Sequence, residues 1–250
     1  MKNNWYEIKS QSEGTEIWIY GPIGDGWMDE VQPKAFIDDL KAIKDPNITI
    51  RVNSPGGSVF GGNAIYNAVK RHPSHITMVI EGLAASMASI IPMGADKVIM
   101  PANALLMIHN PWSLAMGDAE EMRKQAEVLD KAKVGMISAY AEKTGLSEEE
   151  ISDLMDEETW FTAEEAVTFG FADEVEAEIE MAARFDLSQY KNVPQQMSAQ
   201  TDATPTKEQH MKKEETVVAA APEQPAVDTE KLVADGRKAG KAEAAEIVAV

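Results

Sequence analysis

Three short segments hold the groups that acyl transfer needs. They are Asn53-Ser54-Pro55-Gly56-Gly57-Ser58, Gly82-Leu83-Ala84-Ala85-Ser86-Met87-Ala88-Ser89 and Leu105-Leu106-Met107-Ile108-His109-Asn110-Pro111. Together they supply a hydroxyl nucleophile, an imidazole base and backbone amides unobstructed by side chains. Ser86 stands among alanines after Gly82, so a substrate backbone can approach it. Taken alone, the same string reads as a closely packed helix. Of the 4 histidines, His72 and His75 bracket Pro73 in a turn and His210 lies in a polar tail, whereas His109 emerges from an apolar run. A general base must be held and partly desolvated, which a strand end does better than a turn. A buried histidine without chemistry is the competing reading. Gly56 and Gly57 fall between a strand and a helix, where their amides can face an oxyanion or pair with an extended substrate. An ordinary turn is the alternative, and a phosphate cradle would need a lysine or a G-x-G-x-x-G spacing that is missing.

The elements around these segments form an α/β pattern. Thr15 to Tyr20 alternates polar and apolar and closes on Gly21-Pro22, as a strand does. Phe36, Leu40 and Ile43 recur at helical spacing, and Asn47 to Val52 is a second strand that ends at the glycine pair. Val59 to Arg71 reads as a helix stopped by Pro73, and Ile76 to Ile80 as a strand leading into the small-residue helix at Ser86. In such an order, chemistry gathers where strands give way to helices. Residues 97–100 and 104–108 are expected as two short strands around the Pro101-Ala102-Asn103 turn, which puts His109 at a strand end. A long helix is expected over 118–143. Its stripe of Met122, Leu129, Met136 and Tyr140 reads either as core packing or as an oligomer contact.

Composition narrows the function classes. The chain has 250 residues and a net charge of −19, nearly all of it before residue 191, and an acidic body repels phosphate backbones. No nucleic-acid partner is therefore expected. With Cys 0, a disulfide framework, a thiolate metal site and a cysteine nucleophile are all excluded. The few histidines leave little material for a His-rich metal site, and no metal or cofactor is expected. The start of the chain lacks an apolar signal stretch, and no run approaches the roughly 18 apolar residues of a membrane span. A cytoplasmic protein without a membrane partner is the expectation. Beyond Tyr190 the sequence turns to Pro, Gln, Ala, Thr, Lys and Glu. The expected organisation is a catalytic domain over 1–190, a flexible linker over 191–227 and an Ala/Lys/Glu-rich helical tail over 228–250.

Taken in order, the three segments resemble the proteolytic subunit of Clp protease. The resemblance runs on through Lys143-Thr144-Gly145-Leu146-Ser147 and from Trp160-Phe161-Thr162-Ala163-Glu164-Glu165 to Asp173, covering roughly residues 15–180. It implies an α/β fold of the Clp/crotonase type built from repeated β-β-α units, assembling into a homo-oligomeric ring that acts on polypeptides. It also implies a Ser-His-Asp triad. Ser86 would be the nucleophile and His109 the general base. The amides of Gly57 and Met87 would form the oxyanion hole, and Gly56 with Gly57 would flank the substrate. The family's aspartate falls shortly before the Phe161-Thr162-Ala163 stretch. Counting back without a gap lands on Glu158, whose extra methylene demands a shifted backbone, with Asp156 as the rival.

Two departures refine that picture. The chain opens on Asn3-Asn4-Trp5-Tyr6 where the family has an apolar docking segment, so dependence on a Clp ATPase is not expected. The long polar extension is more like the Clp-related head-maturation proteases of tailed bacteriophages and prophages. That resemblance implies cleavage of scaffold and major capsid protein, and of the protease itself, inside an immature capsid. A serine-lysine hydrolase using Lys97, a crotonase-type acyl-CoA enzyme and a non-catalytic scaffold protein stand as alternatives.

Overall fold

The computed structural model describes residues 5–11, 14–24, 33–179 and 185–194. The chain falls into two units, 1–204 and 205–250. The second unit, with His210 and the tail helix expected there, lies outside the described residues, as does most of the expected linker.

The element order is β1 (Tyr6–Gln11), β2 (Gly14–Tyr20), α1 (Pro33–Ala42), β3 (Asn47–Ser54), α2 (Val59–Lys70), β4 (His75–Ala85), α3 (Met87–Ile90), β5 (Lys97–Pro101), β6 (Leu105–Ile108), α4 (Ala119–Thr144), α5 (Glu148–Asp156), β7 (Thr159–Thr162), α6 (Ala163–Thr168) and β8 (Glu174–Glu176). The sheet runs β1-β2-β3-β4-β5-β8, with β6 branching off to pair β4 and β7. In β2 the alternation predicted from sequence holds, and β3 shows the same pattern through Val52. Ile17, Ile19, Ile48 and Ile50 point into the core, while Arg51 faces outward and pairs with Glu16 and Glu81. Each fully buried isoleucine contributes about 1.5–3 kcal/mol, and the same buried cluster takes in Phe36, Ile65 and Tyr140 from the helices.

Eleven-residue β4 is the strand on which the site depends. Its early part pairs β5 at Thr77–Val79 and its far end pairs β6 at Leu83–Ala85, both in parallel. The two short strands expected around Pro101 are thus no hairpin. The Pro101-Ala102-Asn103 turn shifts the chain along β4 instead of reversing it. Between Val52 and Ser54 the β3 register slips, and the Asn53 side chain makes up a lost ladder bond by accepting from the Leu83 amide at 3.2 Å. Leu83 and Ala85 face away from the main core, into a second cluster with Met107, Leu187 and Tyr190.

The small-residue helix after Ser86 is one turn long, because Pro92 lacks the N–H to extend it and the chain tightens into a 3-10 turn over Ile91–Gly94. Helix α4 starts at a capping box between Asp118 and Glu121 and stops at left-handed Gly145. Its stripe divides. Met136 and Tyr140 are in the core, while Met122 is exposed along with Val128 and Val134.

The glycine loop packs directly on the turn that carries Ser86. At Gly56 the backbone has φ +99, and an added Cβ would stand 2.7 Å from both Ala85 O and Ser86 Cβ. Gly56→Ala is expected to destabilise by about 2–4 kcal/mol, from left-handed strain and overpacking together. Gly135, mid-way along α4 with nothing within 4 Å of its would-be Cβ, is the contrast. Gly135→Ala should stabilise by about 0.5–1 kcal/mol. Urea unfolding of both variants checks this, and equal effects would refute the packing account.

Candidate active site

Ser86 terminates β4 in a backbone conformation unusual for any residue but glycine, with φ 55 and ψ −128. The turn is fixed on both sides. Ser86 N–H donates to Met107 O at 3.0 Å, and Ser86 O accepts from the Ser89 amide at 2.9 Å and from Ser89 Oγ at 2.6 Å. This geometry puts the side chain at the rim of a cavity of about 390 Å³ that Gly56, Gly57 and Trp112 also line.

His109 follows directly on β6. Because β6 lies beside the last residues of β4, with Met107 opposite Ala85, the imidazole arrives at the serine: Nε2 and Ser86 Oγ are 2.8 Å apart. Burial lowers the His109 pKa below the ordinary imidazole value. The Glu158 charge acts in the opposite sense, and Lys191 adds to the lowering. A neutral imidazole held against a hydroxyl is able to take its proton.

Two amides, those of Gly57 and Met87, are the expected oxyanion donors. Ile23 and Gly57 form a parallel bridge in which Ile23 N–H donates to Gly56 O and Ser58 N–H donates to Ile23 O. The N–H of Gly57 itself therefore points to the side away from Ile23. Met87 is the first residue of α3, where a helix leaves its amides without intrahelical acceptors. Gly56 differs from Gly57, since its amide donates to Ser54 Oγ at 3.1 Å and its carbonyl is taken by Ile23. What Gly56 offers is space beside Ser86.

The two acidic candidates lie apart from this pair. Asp156 is exposed and accepts from Asn110 Nδ2 and from Lys133 Nζ, both at 2.6 Å, and these partners hold its carboxyl below the usual range. Glu158 is buried, with φ 53, and is near enough to act on the His109 charge, but no hydrogen bond or ion pair joins the two. Its Oε1 instead accepts from the amides of Lys191 and Asn192, each at 2.7 Å, and from Trp160 Nε1 at 3.4 Å. Lys97, the base of the serine-lysine alternative, pairs with Glu174 at 2.5 Å across β5 and β8.

Sequence reasoning missed Tyr190. Its ring stands edge-on to His109 at 5.3 Å and its hydroxyl donates to Pro55 O at 2.5 Å. Burial pushes the phenol up to about 12, with the Ser86 hydroxyl acting the other way, so it remains a donor. The available signal was the apolar run Phe185, Leu187, Tyr190 and Val193 at the edge of the polar tail. Among the described residues, no cluster of His, Asp and Glu could hold a metal, and no helix is long and apolar enough to cross a membrane.

Comparison with known proteins gives the same frame. The family model for Clp protease matches residues 1–178. The ATP-dependent Clp protease proteolytic subunit 1 of Protochlamydia amoebophila is 32% identical over 167 residues, covering 65% of this chain and 81% of the relative. Subunit 2 of Tropheryma whipplei is 32% identical over 165 residues, covering 65% and 91%. Subunit 3 of Rhodococcus jostii is 38% identical over 140 residues, covering 54% and 69%. With a family match across more than half its length and relatives aligned along most of theirs, the chain belongs to the Clp protease family.

Proposed function

We propose that the protein is a serine endopeptidase, and the observation that carries this is the 2.8 Å contact of Ser86 Oγ with His109 Nε2 beside the Gly57 and Met87 amides. Ser86 Oγ attacks the scissile carbonyl carbon while His109 Nε2 takes the hydroxyl proton. The Gly57 and Met87 amides hold the oxyanion of the tetrahedral adduct. Collapse of the adduct breaks the C–N bond as His109 returns the proton to the departing amine. Water, deprotonated by the same imidazole, then releases the acyl group from Ser86. Glu158 is the third member, its carboxylate stabilising the imidazolium once it reaches Nδ1. None of these steps uses a nucleotide or a cofactor.

The proposed setting is cleavage of scaffold and capsid proteins during phage prohead maturation, in the host cytoplasm and inside the immature capsid. What supports it is the polar extension after residue 190 and its Ala/Lys/Glu-rich end. Assembly into a homo-oligomeric ring is proposed on two grounds. The relatives are named as subunits, and α4 with the segment before it exposes Trp112, Leu114, Met116, Met122, Val128 and Val134.

Removing the nucleophile should be severe. Ser86→Ala is expected to lower peptide hydrolysis by roughly four to six orders of magnitude, and a fluorophosphonate should add its mass to Ser86 in the parent chain alone. Hydrolysis persisting at the parent rate in Ser86→Ala would sink the mechanism.

The acid limb of kcat/KM reports His109, since only the neutral imidazole can act as base. Burial favours that neutral form, so the midpoint should lie below about 6.5. Glu158 raises the midpoint, so Glu158→Gln should move it lower still and reduce kcat, whereas Asp156→Asn should change neither. The opposite pattern would reassign the third member to Asp156.

Co-expression with a candidate scaffold protein tests the setting, read by intact mass. Scaffold fragments should appear with the parent chain and be absent with Ser86→Ala. A scaffold left whole by a protein that hydrolyses short peptides would keep the chemistry and remove the phage role.

A further inference from the structure

We propose that residues 185–194 are a strap that walls the active-site groove, and that their release widens it for a substrate and frees Glu158 to pair with His109. This rests on the serine-peptidase reading above and adds to it a control that lies beyond the family match, which ends at residue 178.

One short stretch touches every part of the machinery. Phe185, Gln189 and Tyr190 line the cavity that holds Ser86, Gly56 and Gly57. Leu187 and Tyr190 are buried against Leu83, Ala85 and Met107, the outward side chains of the two strands that bring Ser86 and His109 together. The Tyr190 ring packs on His109 and, at 5.9 Å, on Trp160. Its hydroxyl occupies the carbonyl of Pro55, immediately before the glycine pair whose free edge an extended substrate would use. The amides of the next two residues, Lys191 and Asn192, take Glu158 Oε1, and Asn192 Nδ2 donates to Glu157 O at 2.6 Å. Hydrogen bonds to a carboxylate are stronger than neutral ones. Glu158 therefore stays with this strap as long as the strap is seated.

The contacts all act in one direction. The groove beside Ser86 is walled on one side, the loop that would bind substrate is engaged, and the carboxylate is kept from the imidazole. A supporting strap would instead hold Glu158 on His109, and no bond joins those two residues. The device is therefore a population switch. Reactivity is scaled by the fraction of molecules in which the strap is unseated, and any partner or cleavage that favours the unseated state raises it.

The test uses the full chain and reads the second-order rate of Ser86 labelling by a fluorophosphonate, together with kcat/KM for a short peptide. Tyr190→Phe keeps the ring, removes the hydroxyl that bonds Pro55 O and meets the Ser86 hydroxyl, and should speed labelling roughly two- to tenfold. Tyr190→Ala, and Asn192→Pro, which deletes one amide on Glu158, should speed it by about tenfold or more. In Tyr190→Ala the His109 acid limb should also move upward, and by more than in Tyr190→Ala with Glu158→Gln, because lost burial raises it in both and only the first lets Glu158 reach Nδ1. Tyr190→Phe keeps the ring and decides the matter if the alanine variant unfolds. Labelling unchanged or slower in the variants, with the parent chain labelled at Ser86, overturns the strap and leaves the peptidase reading intact. Absence of labelling in the parent and every variant overturns the peptidase reading and the strap with it.

Discussion

A serine held at φ 55 is the constraint around which the rest of this site is arranged. A non-glycine residue in that region costs on the order of 1–3 kcal/mol and persists only where its surroundings over-determine it. Here they do. The Ser86 amide is tied to β6 and its carbonyl to Ser89, and Ser89 Oγ is in turn 2.8 Å from the buried Tyr140 hydroxyl at the core end of α4. The turn also excludes bulk. Gly56 and Gly62 stand where a Cβ would collide with Ser86 or Met87, and Ala84, Ala85 and Ala88 fill the remaining contacts. The small residues that make the sequence look featureless are what let a reactive hydroxyl sit at the end of a buried strand.

Strand pairing carries that local arrangement to the base. Had β5 and β6 folded as a hairpin, His109 would have ended elsewhere, because only a strand parallel to the last residues of β4 delivers its C-terminal end beside Ser86. The outward side chains of the same strands, Leu83, Ala85 and Met107, then form an apolar surface away from the main core. That surface needs cover, and residues 187 and 190 supply it. The second cluster and the Ser86–His109 pair are thus two faces of one pairing choice.

Much of this was legible in the sequence. Alternation gave β2 and β3, where one face is buried and the other solvated, and the Asp118-x-x-Glu121 spacing marks the start of α4 through a capping box. His109 stood out because an imidazole at the end of an apolar run is bound to be partly desolvated. The glycine pair was visible as a loop, but not that Gly56 spends its own amide on Ser54 while Gly57 keeps its amide free. That distinction depends on the bridge to Ile23, more than thirty residues away in the chain. Glu158 was reached by counting from a motif. Its actual partners lie 33 and 34 residues downstream, beyond any local pattern. Tyr190 was invisible for a related reason, since its role depends on packing across the sheet and not on its neighbours in sequence.

The charges around His109 explain how such a site can be at rest without being dismantled. Desolvation first, and the Lys191 charge with it, favours the neutral imidazole, the form able to accept the Ser86 proton. The difficulty arises after transfer, when an imidazolium must exist in the same buried place. Glu158 is the group that would offset that cost, and at rest its carboxylate is satisfied by two backbone amides while the Lys191 charge opposes the imidazolium. The ground state is therefore left almost untouched and the charged intermediate is penalised. A control built this way acts on the barrier more than on the fold, and it is reversed by moving a few residues instead of rebuilding the pair.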